Sequence, residues 1–137
     1  MKNILLILTI SILFFSCKKD TSVELLDYEI TATSTLQEDN QTLSDLWQKI
    51  VAKSESENCI NSANWSFIDY GSKACGGPIG YIAYSNKINT SDFLNKISVH
   101  KSLQNTYNSK YEVISTCDIP PAPSKVSCVN GEAVLIY

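Results

Sequence analysis

The chain contains no arginine: all 11 cationic side chains are lysines, set against 14 Asp and Glu in 137 residues, for a net charge of −3. Nucleic-acid sites depend on clustered cations and favour the planar guanidinium for bidentate phosphate and guanine contacts, so this composition excludes nucleic acid as a partner. Histidine is almost as scarce, with His100 the single copy. Any Ser-His-Asp or Cys-His mechanism would run through it, yet it stands between Val99 and Lys101 in a helical stretch, and no serine occupies a G-x-S-x-G elbow. A catalytic base must be oriented by a third group, so His100 reads as a half-packed helix residue and the chain as a non-enzyme. Glycine is sparse as well. Gly71 and Gly76 share the first spacing of a phosphate loop, but Gly77-Pro78 follows where Gly-Lys-Ser/Thr is required. No two cysteines stand in the C-x2-C spacing of a zinc ribbon, so neither a metal nor a cofactor is expected.

What is present begins at the N-terminus. Lys2 supplies a positive start, Ile4 to Phe15 form an apolar run broken only by Thr9 and Ser11, and the small Ser16 precedes Cys17. This has the form of a signal peptide over residues 1–16. The run is short of the roughly 20 apolar residues that span about 30 Å of hydrocarbon. Phe14-Phe15-Ser16-Cys17 resembles the bacterial lipobox, with Phe14 where leucine is usual. The resemblance implies that Cys17 becomes the mature N-terminus and carries a diacylglyceryl thioether and further acyl chains such as palmitate. Each buried methylene contributes about 0.8 kcal/mol, so several chains give stable attachment to a membrane of the bacterial cell envelope, on its periplasmic or exposed face.

With Cys17 assigned to lipid, Cys59, Cys75, Cys117 and Cys128 remain, an even number in an exported chain and hence a disulfide framework. Three pairings are possible. Cys59–Cys75 with Cys117–Cys128 is expected, because both close short loops within local units, each constraining the unfolded chain by about 3 kcal/mol.

Residues 17–40 read as a lipid-anchored tether in which Leu26, Tyr28, Ile30 and Ala32 alternate like an edge strand, and residues 41–137 as one domain. Thr42-Leu43-Ser44-Asp45 has capping-box form, and Leu43, Leu46, Trp47, Ile50 and Val51 follow at helical spacing. Two aromatic, strand-forming stretches, 65–70 and 79–85, flank a glycine-rich loop. Thr90 or Ser91 caps a second helix from Asp92, bent or broken near Ser98, and residues 112–117 read as a further strand. Pro120, Pro121 and Pro123 then enforce an extended loop, and Asn130-Gly131 turns a hairpin between 125–129 and 132–137. The expected fold is α+β, a small antiparallel sheet packed with two or three helices and stabilised by disulfides.

Trp65, Gly71-Ser72-Lys73-x-Cys75-Gly76-Gly77-Pro78, Tyr81-x-x-Tyr84-Ser85, Cys117-Asp118, the proline loop and Cys128-x-Asn130-Gly131 together resemble a group of small secreted bacterial proteins and lipoproteins. The similarity covers residues 59–131, and in that group another cysteine often follows the Asn-Gly, where this chain has Ala133. The group implies a disulfide-bonded domain and brings no activity with it.

The leading functional expectation is a lipid-anchored, non-enzymatic binding domain for a protein, peptide or glycan. A protease inhibitor is the alternative: a Cys117–Cys128 loop stiffened by Pro120, Pro121 and Pro123 would be pre-organised to present Lys125 to a trypsin-like pocket. A hydrolase comes last, since Glu55, Glu57, Asp69, Asp92, Glu112 and Asp118 are scattered and mark no carboxylate pair. The anchor is directly testable. Cys17→Ser should abolish metabolic labelling with palmitate and move the protein out of the processed membrane fraction; a processed, membrane-bound variant would refute the lipid assignment.

Overall fold

The structure is a computed structural model and describes residues 27–137, so the signal segment and Cys17 lie outside the described residues. In chain order it contains helix α1 (Leu36–Ser54), a 3-10 turn (Ser62–Asn64), strands β1 (Trp65–Tyr70) and β2 (Gly80–Ser85), helix α2 (Thr90–Lys110), and strands β3 (Lys125–Val129) and β4 (Glu132–Ile136). The α+β expectation holds, with the sheet divided into two antiparallel hairpins, β1–β2 and β3–β4.

Helix α1 begins earlier than the Thr42 box suggests. Thr35 is its N-cap: the Thr35 hydroxyl accepts from the Glu38 amide at 3.3 Å, and the Glu38 carboxylate accepts from the Thr35 amide at 2.7 Å. Glu38 reaches back over this distance more readily than the shorter Asp45 could, and Asp45 instead accepts from Gln41 one turn earlier inside the helix. No strand forms over residues 27–35, and Ile30 joins the core there, so packed structure starts before residue 41. For α2 the cap is Asn89 rather than Thr90 or Ser91, its side-chain oxygen accepting from the Asp92 amide at 3.1 Å. The helix then runs unbroken past Ser98, where no glycine or proline interrupts it. It ends at Tyr111 and Glu112, whose φ of 48° turns the chain away. Residues 112–117 form no strand: both hairpins are closed two-strand units, and this segment pairs with neither.

Leu46 and Ile50 of α1 and Phe93, Ile97 and Leu103 of α2 make the core, with Ile68, Tyr70, Ile82 and Tyr84 of the first hairpin packed against it. Trp47 belongs to this layer, its ring 4.4 Å from that of Tyr70. Strand register runs from Trp65 opposite Ser85 to Tyr70 opposite Gly80. In the second hairpin, Asn130 and Gly131 take φ of 53° and 88°, the two positive angles of a type I′ turn, as the Asn-Gly pair requires.

The two helices run antiparallel and are tied at one end by a buried ion pair. Lys110, in the last turn of α2, donates to the Asp39 carboxylate at 2.6 Å and to the carbonyls of Thr31 and Ser34 at 2.8 and 2.6 Å. Tyr111 donates to the same Asp39 oxygen at 2.8 Å. Burial works to raise the Asp39 carboxyl, but the hydrogen bonds from Lys110, Ser34 and Tyr111 outweigh it and hold its pKa below the ordinary carboxylate value. A carboxyl depressed by folding adds stability at pH above its unfolded pKa, and that stability is lost as pH falls through the folded value. Asp39→Asn should therefore lower the melting temperature at neutral pH more than Asp69→Asn, since Asp39 is 0% exposed and Asp69, paired with Lys101, is 37% exposed. Thermal melts should show the gap between these variants shrinking below about pH 4.

Candidate functional site

Cys59, Cys75, Cys117 and Cys128 are all bonded, but in a nested rather than the expected sequential pattern. Cys59 pairs with Cys128 and Cys75 with Cys117, across sequence separations of 69 and 42 residues. The expected local pairing fails because β1 and β2 carry Cys59 and Cys75 to different places. Cys59 follows α1 and lies under the second hairpin, where its amide donates to the Gly131 carbonyl at 2.7 Å, while Cys75 sits on the loop beyond β1. Closing loops of this length constrains the unfolded chain by roughly 4 kcal/mol each, taken separately. Cys128 lies directly across β3–β4 from Ala133 and turns to Cys59 instead.

The proline segment is consequently not a loop closed on itself. Its start is tied through Cys117 to the β1–β2 loop, and its far end merges into β3, where Lys125 pairs with Ile136. Pro120 is half-buried, Pro121 exposed and Pro123 buried. Lys125 is exposed, but as a strand residue rather than the tip of a free loop.

The bond from Cys59 to Cys128 shapes a cleft of about 610 Å³ between the end of α1, β2 and β4. Its lining includes the apolar Val51, Ile82 and Leu135, the aromatic Trp65 and Tyr81, and the acidic Glu55, Glu57 and Glu132. None of these three glutamates takes part in an ion pair among the described residues. Ser54 and Glu55 bring the carbonyl end of α1 to the same place, and a helix C-terminus carries partial negative charge. The cleft is therefore an amphipathic trough with negative potential, suited to long side chains with an apolar stem and a cationic head. Trp65 also lines a second, more open groove with Phe67, Lys125 and Val126.

Glu55 and Glu57 look scattered in the sequence, and Glu132 is an ordinary outward strand position. The disulfide, the Cys59–Gly131 hydrogen bond and the approach of β4 to β2 bring the last to the first two, so no local pattern announces the site. Among the described residues no group of three or more His, Cys, Asp and Glu could hold a metal ion. No protein-family model, curated protein or solved structure matches the chain.

His100 stands apart from the cleft. It is more buried than a half-packed residue, at 6% exposure, with its ring 5.4 Å from that of Trp47. Burial lowers its pKa, against a hydrogen bond to the Leu43 backbone that favours the charged form, and its Nδ1 has no partner among the described residues. Its ring packs between the two helices against Trp47. Because the folded pKa lies below the unfolded one, the unfolded chain binds the proton first, and stability falls as pH drops from about 7 through the folded value. His100→Phe keeps a planar ring against Trp47 and cannot titrate. Denaturant melts of this variant should show a flatter dependence of stability on pH between about 7 and 5 than the wild type.

Proposed function

We propose that this protein is a lipid-anchored binding module of the bacterial cell envelope, held by Cys17 and taking a lysine- or arginine-bearing peptide segment of another protein in the cleft between α1 and the two hairpins. The observation that carries the reading is the convergence of Trp65 and Tyr81 with Glu55, Glu57 and Glu132 around one trough at the carbonyl end of a helix. An aliphatic stem would lie along Val51, Ile82 and Leu135, and the cationic head would meet the carboxylates and the ring faces. The carboxylates are exposed, so much of the attraction would be screened by salt and would act on the rate of encounter as well as on affinity. The Cys59–Cys128 disulfide ties the hairpin wall to the chain leaving α1 before any ligand arrives, which limits the ordering cost of binding. The inhibitor alternative loses its structural premise, because no disulfide joins Cys117 to Cys128.

The test is titration of the oxidised domain with pentalysine, followed by NMR at the Trp65 indole and the Glu132 amide. Saturable shifts confined to cleft residues are expected, with affinity falling as salt rises. Glu57→Gln combined with Glu132→Gln should weaken binding by about tenfold, on the scale of one to two lost charge-assisted contacts. Unchanged spectra at millimolar peptide, or binding indifferent to both substitutions, would refute the cleft assignment. Shifts at the same residues with a neutral chitooligosaccharide and none with pentalysine would replace the peptide by a glycan.

A further inference from the structure

The two disulfides differ in their surroundings. Cys59 is 3% exposed beneath the second hairpin and Cys128 lies within β3. Cys75 and Cys117 are both exposed, and both stand in segments without helix or strand. The side of Cys75 is open: a Cβ added at Gly76 would meet no atom within 4 Å, and one added at Gly77 would touch only the Ile119 side chain. Lys73, two residues before Cys75, donates to the Asp118 carbonyl at 2.7 Å and to its carboxylate at 3.1 Å, which holds an ammonium beside the residue that follows Cys117.

We propose that Cys75–Cys117 is a thiol–disulfide exchange site, opened by a dithiol reductant while Cys59–Cys128 stays closed. A thiolate of the dithiol attacks Sγ of Cys75 from the open Gly76 side. The bond between the two cysteine sulfurs breaks, a mixed disulfide forms on Cys75, and Cys117 leaves as a thiolate near the Lys73 ammonium and then takes a proton. The second thiol of the reductant attacks the mixed disulfide, releasing Cys75. The cysteine pair gains two electrons, and the dithiol becomes a disulfide.

Between Val113, whose amide bonds the Asn108 carbonyl, and the buried Pro123 with Ser124, which bonds the Ile136 carbonyl, the segment that reduction frees lies outside the core cluster of Ile30, α1 and α2 with the first hairpin packed on it. What else holds its first half to the glycine loop is a hydrogen bond from the Cys75 amide to Ser115 at 3.0 Å and the Lys73–Asp118 contact. The root of the loop is fixed independently: Gln104 and Asn108 of α2 bond the Ser72 backbone at 3.0 and 2.8 Å, and the side chain of Asn105 bonds the Ser72 hydroxyl. Opening the bond therefore loosens the stretch of 112–124 that lies between the Val113–Asn108 and Ser124–Ile136 hydrogen bonds and leaves the helices, the first hairpin and the cleft in place. Ile114 and Ile119, already 95% and 68% exposed, lie on the released stretch.

The experiment is graded reduction of the full-length oxidised chain with dithiothreitol, alkylation and peptide mapping, with hydrogen exchange on the same samples. At the concentration that half-opens Cys75–Cys117, the Cys59–Cys128 bond should remain more than nine-tenths closed, a ratio of order ten that exposure of one bond and burial of the other implies. Peptides across 112–124 should then exchange about tenfold faster while those across 93–103 keep their protection. A Cys75→Ser/Cys117→Ser double variant should reproduce that pattern without reductant. Joint opening of both disulfides, prior opening of Cys59–Cys128, or unchanged exchange over 112–124 in the reduced protein or the double variant would overturn the proposal.

Discussion

The Asp39 carboxylate and the Lys110 ammonium meet at 2.6 Å across the open ends of two antiparallel helices, and the register of the whole helical layer follows from where they meet. Each group suits its own helix end, Asp39 in the first turn of α1 and Lys110 in the last turn of α2, so each also complements its helix dipole. An unpaired charge in this place would be costly. The pair is instead enclosed by hydrogen bonds from Tyr111 to Asp39 and from Lys110 to the carbonyls of Thr31 and Ser34. The segment before α1 is thus built around the ammonium of a residue more than 70 positions away. Leu46, Ile50, Phe93 and Ile97 share one buried cluster between these helices, and the first hairpin packs against it.

The second hairpin has no comparable share of the core. Val126 is its one buried residue, and the Cys59–Cys128 disulfide with the Cys59–Gly131 hydrogen bond secures it to the chain that leaves α1. A small domain with a limited core commonly relies on covalent closure in this way. The same closure forms the cleft wall that carries Glu132, so the element of least packing is also the element that completes the candidate site. The outer disulfide has a different task. It joins two irregular segments at the surface, and its loss would leave the packed body intact, which is the physical condition for a bond that can be opened and closed without unfolding the protein.

Much of the local structure was legible in the residues. Apolar spacing located both helices, strand-forming runs located the first hairpin, and Asn130-Gly131 located the second turn, because each of these depends on side chains within a few positions of one another. Where two local signals competed, the choice was not local. Thr35-x-x-Glu38 and Thr42-x-x-Asp45 both have capping-box form, and the first is used because Asp39 and Ile30 are drawn into contact with α2. The alternation from Leu26 to Ala32 yields no strand over its described residues for the same reason: Lys110 claims the carbonyls nearby, and no sheet edge is offered.

By itself, then, the sequence determined the α+β class and the positions of the helices and hairpins. Tertiary structure alone decided which cysteines bond, how deeply His100 is buried, and which acids share a cleft. The reason is geometric. Helical and strand periodicities are written in neighbouring residues, whereas the pairing of Cys59 with Cys128, 69 positions apart, and the meeting of Glu55, Glu57 and Glu132 at one cleft depend on how the end of α1 and the second hairpin are brought together, and no spacing rule encodes that approach.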